Sequence, residues 1–210
     1  MEIKKGNNKL RIVSSWDDGS KLDIKLAGLL KKYNISGTFF IPNNTKLSED
    51  EIRSLVEQGF KIGGHTVNHP EDMKRLSAGQ AMMEISGNKV WLEKVIGREI
   101  NMFCYPSGRY NDDTITAVKR AGFKYARTVI VGKVELDDYK DHYRMPTTVH
   151  VYPDRKEYEG KHWLEYAKEK FQEAKECDGI FHIWGHSFEL EKYEKWGELE
   201  ELFKWIKDNK

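Results

Sequence analysis

Three short stretches carry the side chains best suited to hydrolytic chemistry: Trp16-Asp17-Asp18-Gly19, Gly64-His65-Thr66-Val67-Asn68-His69-Pro70 and Trp184-Gly185-His186-Ser187. His65 and His69 stand four apart, which on a helix sets two imidazoles on one face, the usual metal-pair geometry. Flanking glycines and Pro70 make a loop with at most one turn the expected setting, and a loop can converge the two rings as well. Two neutral imidazoles and one carboxylate, with a fourth position left for water, are the donor composition of a catalytic zinc site. The adjacent Asp17 and Asp18 offer that carboxylate twice. Asp-Asp-Gly alone is an ordinary turn, but beside a histidine pair one Asp can ligate while the other acts as general base on the activated water. His186, on the rim after a buried strand, can protonate a leaving amine. His182 alternates away from that rim and reads as core packing. Metal, base and separate acid together are the toolkit for hydrolysing an amide or an ester.

Such groups must be brought together by the fold. Short apolar runs alternate with amphipathic patterns, the mark of βα units. Strands are expected at Leu10–Ser14, Gly37–Ile41, Phe60–Gly63, Asn101–Tyr105, Tyr125–Val131 and Gly179–Trp184, with a further one within Met145–Val151. Between them, Leu22, Leu26, Leu29, Leu30 and Tyr33 recur at helical spacing. Ser48–Glu51 and Ser77–Gln80 are capping boxes, the second opening a helix to Ile96 with Gly97 as its stop. Asp112–Arg120, His162–Lys175 and the stripe Leu199, Leu202, Phe203, Ile206 complete the helices. This is one α/β domain over residues 1–210, with about seven strands, mostly parallel because each is followed by a crossover helix. In parallel βα folds ligands sit beyond the C-terminal strand ends. Five of the seven expected strand ends deliver Asp, His, Arg or Ser there, including Cys104-Tyr105-Pro106-Ser107 and Arg127-Thr128.

Composition narrows the partners. The 210 residues carry 35 basic and 34 acidic side chains, a net charge of +1, which gives no bulk electrostatic support for a nucleic-acid partner. No apolar run is long enough for a membrane span. Residues 1–10 hold no apolar signal-peptide core, so a cytoplasmic protein is expected unless an export signal was trimmed. Cys104 and Cys177 fit neither a disulfide framework nor a zinc ribbon, and both are expected as buried small hydrophobes.

Trp16-Asp17-Asp18-Gly19, Gly37-Thr-Phe-Phe-Ile41, Ile62-Gly-Gly-His65-Thr-Val-Asn-His69-Pro70, Leu76-Ser77 and Ala121-Gly-Phe-Lys-Tyr-Ala126 together resemble the polysaccharide deacetylases of carbohydrate esterase family four. The resemblance runs in order from Leu10 to about Val131 and resumes at the His186 strand. It implies a distorted (β/α) barrel and an N-deacetylase acting on an N-acetylated carbohydrate. Carried over, it makes Asp17 the base and Asp18, His65 and His69 the ligands of one divalent metal, zinc first, with Co2+, Ni2+ or Fe2+ compatible. His186 is the matching acid. The family's Arg-x-Pro-Tyr motif reads Cys104-Tyr105-Pro106-Ser107 here. The guanidinium that would steady the base must come from elsewhere, with Arg127 the first candidate and Arg109 the second. Ser107 can still donate its N–H to an oxyanion, beside Tyr105, while Trp184 stands where the family has a Leu bordering the acetyl methyl. An Asp orienting the acid has no clear match, Asp137 and Asp138 being loose candidates. Two alternatives use the same residues: a cytoplasmic amidohydrolase for a small N-acyl substrate, and a non-catalytic carbohydrate-binding module, for which both Asp17 and His186 would be superfluous.

Overall fold

A computed structural model describes residues 10–210. Seven parallel strands lie in the order β5-β4-β3-β2-β1-β7-β6: β1 (Arg11–Asp17), β2 (Ser36–Ile41), β3 (Lys61–Gly64), β4 (Met102–Cys104), β5 (Tyr125–Arg127), β6 (Val149–His150) and β7 (Ile180–Gly185). Around them run α1 (Asp23–Tyr33), α2 (Glu49–Glu57), α3 (Ala78–Ile96), α4 (Asp112–Arg120), α5 (Trp163–Glu176), α6 (Ser187–Lys192) and α7 (Trp196–Asn209). The sheet curls into an incompletely closed barrel. Its two edges approach through a single parallel bridge, Arg127 with Met145, and through the Gly132 N–H on the Thr148 carbonyl.

Local chemistry explains the elements that hold. Ser48 and Ser77 cap α2 and α3 with reciprocal boxes, and Gly97 ends α3 in the left-handed conformation. Asn34 does the same for α1. The apolar faces of the helices close over Leu26, Leu30, Phe39, Ile52, Ile85, Phe103, Phe171 and Phe203, all without exposed surface.

Four expectations need correction. The first strand does not stop at Ser14: Ser15, Trp16 and Asp17 stay in register with β2, and the first two also pair with β7, so Asp17 is the last strand residue. The fifth ends at Arg127 rather than Val131, because the chain beyond it bonds irregularly to residues 145–148. No α-helix crosses from β5 to β6; only a short 3-10 turn, Leu136–Tyr139, intervenes. Cys177 is exposed, its thiol donating to the Ala174 carbonyl at the end of α5, whereas Cys104 is buried as expected. No helix of the described residues is long and apolar enough to cross a membrane.

Candidate active site

β1 ends by handing two carboxylates to different places. Asp17, still in the strand, is 3% exposed, whereas Asp18 turns off it at φ 78° and its side chain is 29% exposed. The left-handed turn is held by the Asp18 N–H on the Phe40 carbonyl. Thr66 (φ 69°), His69 (φ 51°) and Ser107 (φ 54°) share this uncommon conformation around the same pocket. Backbone strain of this kind persists where surroundings over-determine it, commonly at functional sites.

His65 follows β3 directly. Its N–H donates to Asn88 Oδ1 at 2.8 Å, and Asn88 in turn donates to the Ile41 carbonyl and to Asn43, tying the ends of β2 and β3 to α3. Gly64 makes this approach feasible, since a Cβ there would lie 2.9 Å from Asn88 Oδ1 and 2.8 Å from the Phe123 ring. His65 Nδ1 lies 2.8 Å from the Cys104 carbonyl. A carbonyl can only accept, so Nδ1 carries the proton and Nε2 is turned inward. The loop then brings His69 back, with its N–H on Thr66 Oγ1.

The result is a three-donor cluster. Asp18 Oδ1 lies 3.3 Å from His65 Nε2 and 3.3 Å from His69 Nε2. That oxygen is buried and accepts no hydrogen bond among the described residues. Burial works against a charged His65, yet Cys104, Asp18 and Asp17 around it carry its pKa well above the ordinary value. His69, next to it, is held low by burial and by His65. The cluster's field thus calls for one positive charge. An orphaned carboxylate oxygen, two convergent imidazole nitrogens and that field fit a divalent cation, and an Asp-His-His set suits zinc.

Asp17, with a carboxylate oxygen within 4.8 Å of a His65 ring nitrogen, receives a double hydrogen bond from Arg127 Nη2. Arg127 is 1% exposed, reaching Asp17 from β5 under the Phe40 and Trp184 rings. Burial alone would push the Asp17 carboxyl up; Arg127, helped by His65 and His186, holds it down at about 2. Cys104 Sγ lies 3.6 Å from Asp17 Oδ2. Arg109, the second candidate for the guanidinium, pairs on the surface with Glu71 instead.

His186 leaves β7 with Nε2 3.7 Å from Asp18 Oδ2 and Nδ1 2.7 Å from Glu189 Oε2. Burial opposes its charged form, but Glu189, Asp17 and Asp18 outweigh that and raise its pKa. The group orienting it was missed from sequence. Asp137 and Asp138 instead pair with Lys140 and Lys133 in the 3-10 turn. Glu189 sits three residues after His186 on α6, and His-x-x-Glu at i,i+3 was the available signal. His182 is core as expected, bonded to Ser15 and pushed down to about 3 by burial and by Arg127.

Asp17, Asp18, His65, His69, Tyr105, Ser107, Trp184 and His186 line one pocket of about 360 Å³, joined by Val129 and Arg155, which the sequence reading did not include. Tyr105 contributes wall rather than hydroxyl: its Oη donates to the Tyr143 carbonyl, and its ring stacks on Tyr110. Ser107 is exposed, and its N–H has no hydrogen-bond partner among the described residues. Trp184, 3% exposed, stacks flat on His150 at 3.8 Å between ring centres.

Similarity to known proteins runs the same way. The peptidoglycan-N-acetylmuramic acid deacetylase PdaA of Bacillus subtilis (strain 168) is 27% identical over 124 residues, 57% of this chain and 47% of PdaA. The chain spans about half the length of the curated relatives it matches. Among solved structures, PdaA superposes with a TM-score of 0.66 at 18% identity, covering 97% of this chain and 77% of that one. The Xyl-CE4 domain of a multidomain xylanase from the hindgut metagenome of Trinervitermes trinervoides gives 0.70 at 16% identity (97% and 85%). BA3943, a CE4 family pseudoenzyme from Bacillus anthracis, gives 0.68 at 16% (97% and 63%). At these identities the structural likeness is one of fold, a deformed barrel shared by active and inactive members. The polysaccharide deacetylase family model matches residues 4–126, from before β1 into β5. With more than half its length matched, the chain belongs to the polysaccharide deacetylase family.

Proposed function

We propose that this chain is a metal-dependent hydrolase that removes the N-acetyl group from an amino sugar in a glycan or oligosaccharide. One observation carries the reading: a buried, unpartnered Asp18 oxygen faces two imidazole nitrogens at 3.3 Å, beside an Asp17 kept ionised by Arg127. A divalent ion held by Asp18, His65 and His69, zinc by donor type, would supply Lewis acidity that makes water a nucleophile at neutral pH and polarises the acyl carbonyl.

The other steps fall to the chain's own groups. Asp17 takes the proton of the attacking water, and its partner Arg127 keeps it oriented and anionic until then. The Ser107 N–H donates to the carbonyl oxygen as charge develops there. Trp184 borders the acyl methyl. His186 delivers a proton to the amide nitrogen as the C–N bond breaks, the bonding electron pair staying on nitrogen, so acetate and a free amine leave. Glu189 anchors Nδ1 of that imidazole, leaving Nε2 toward the pocket.

The reading is tested by acetate release from zinc-loaded protein, on chito-oligosaccharides of increasing length beside small N-acetyl compounds. Turnover that rises with oligomer length supports it. Turnover confined to the small compounds replaces the glycan with a small N-acyl substrate. No turnover on either, with zinc bound, makes the chain a non-catalytic relative like BA3943.

A further inference from the structure

Behind the proposed proton donor lies a half-buried polar chain centred on the buried His150 of β6. His186 Nδ1 and His150 Nε2 meet the same oxygen, Glu189 Oε2, at 2.7 and 3.2 Å. Nη1 of Arg155 lies 3.0 Å from His150 Nδ1. Arg155 is itself clamped by Glu157, with Nε and Nη2 at 3.2 and 3.3 Å from the two carboxylate oxygens. His150 has little freedom: its ring lies between Trp184 (3.8 Å, 10° between planes) and Tyr152 (5.2 Å, 11°), and its carbonyl accepts from the Tyr158 hydroxyl.

We infer that Arg155 and His150 are positioning residues that act through Glu189 to fix the tautomer and aim of His186. The inference rests on the reading of His186 as the acid. The direction of each bond follows from the donors. A guanidinium has no acceptor, so His150 Nδ1 must accept and be unprotonated. The proton of neutral His150 is then on Nε2 and is donated to Glu189. Glu189, a carboxylate, can only accept, so its second bond requires a proton on His186 Nδ1. That leaves His186 Nε2 as the atom facing the pocket. Arg155 thus sets the proton position of His150, and Glu189, held by His150, sets that of His186.

The surroundings suit the task. Burial pushes His150 down to about 4, with His186 and Arg155 acting the same way, so it stays neutral where the enzyme works. Burial opposes an ionised Glu189, but the bonds from His150 and His186 bring it to about 2. A carboxylate bound by two histidines holds its position better than one bound by the acid alone. Without Arg155, only the 3.2 Å bond to Glu189 holds the His150 proton on Nε2. If the proton moves to Nδ1, the Glu189 oxygen loses a donor and faces a lone pair, and the anchor of His186 loosens.

The test compares zinc-loaded wild type, Arg155→Met, Arg155→Lys and His150→Phe, the last keeping a flat ring in the stack. Two readouts are taken: the ratio of N-acetyl amide turnover to aryl acetate turnover, and the 15N resonances of the histidine rings. An amine must be protonated to leave and a phenolate need not be, so a misaimed acid lowers the ratio. The expected result is a ratio about tenfold or more lower in Arg155→Met and His150→Phe, within the 10–100-fold typical of removing an outer-shell partner. His150 should be Nε2-protonated in wild type and a tautomer mixture in Arg155→Met, with Arg155→Lys, still a donor, restoring both readouts. Equal losses on both substrates, or an unchanged His150 tautomer in Arg155→Met, overturn the inference. If wild type turns over neither substrate, the deacetylase reading falls, and the ring resonances alone decide the relay.

Discussion

Arg127→Met removes the one cation that, among the described residues, is bonded to the buried carboxylate of Asp17. Both groups are almost fully enclosed, at 1% and 3% exposure, so the orphaned carboxylate is left poorly hydrated. Losing one member of a buried ion pair costs about 3–5 kcal/mol. For a chain of this size that is a fall in Tm of about 6–20 °C. The pH dependence is more diagnostic. In wild type the Asp17 carboxyl titrates at about 2, below its ordinary 3.8, so its contribution to stability is complete above pH 4 and is lost as pH falls toward 2. Without Arg127, burial governs and the carboxyl titrates above 3.8. Its contribution then changes sign: full at low pH, lost as pH rises through the new, raised pKa. Urea denaturation of both metal-free proteins from about pH 4 to 7 should therefore show the variant's deficit growing with pH. Adding Asp17→Asn to Arg127→Met should recover roughly 2 kcal/mol or more at neutral pH. A deficit below about 1 kcal/mol, or one that shrinks as pH rises, would refute the reasoning.

His186→Ala should lower turnover of an N-acetyl substrate by about 10²–10⁴-fold and that of an aryl acetate much less, and equal losses would move the acid role elsewhere. Glu189→Gln keeps the shape but not the charge that favours a protonated His186, and should lower the amide-to-aryl-ester ratio in steady-state assays in the same direction. Asp23, bonded to Ser187 and raised to about 7 by burial, holds stability at low pH that is lost as pH rises toward 7. Asp23→Asn should accordingly gain on wild type between about pH 4 and 8, by up to about 4 kcal/mol in denaturant titrations, and no pH-dependent gain would contradict this.

Much of this was legible because local rules and fold agreed. Serine boxes, Gly97 and the periodic helices needed no tertiary information, and the convergence of Asp18, His65 and His69 follows once strands are parallel and their C-terminal ends share a face. What escaped depends on long-range contacts. Arg127 could be named as the partner of Asp17 only through the family resemblance, since the two lie 110 residues apart and only the curl of the sheet joins β5 to β1. Asn88 reads as an ordinary helix residue until α3 lies over the ends of β2 and β3. The stretch between β5 and β6 has neither period, because its backbone bonds are spent closing the barrel. Of the pocket wall, Val129 lies in that stretch and Arg155 in the irregular chain just beyond β6, which is why neither was read.

The central claim, a metal held by Asp18, His65 and His69 beside a separate base, is tested most directly by measuring bound zinc and acetate release together in wild type, Asp17→Asn and Asp18→Asn. The account predicts one zinc and turnover in wild type, zinc without turnover in Asp17→Asn, and neither in Asp18→Asn. Loss of zinc from Asp17→Asn with retention in Asp18→Asn would reverse the two carboxylates, and full zinc with no acetate from any N-acetyl sugar in wild type would contradict the account.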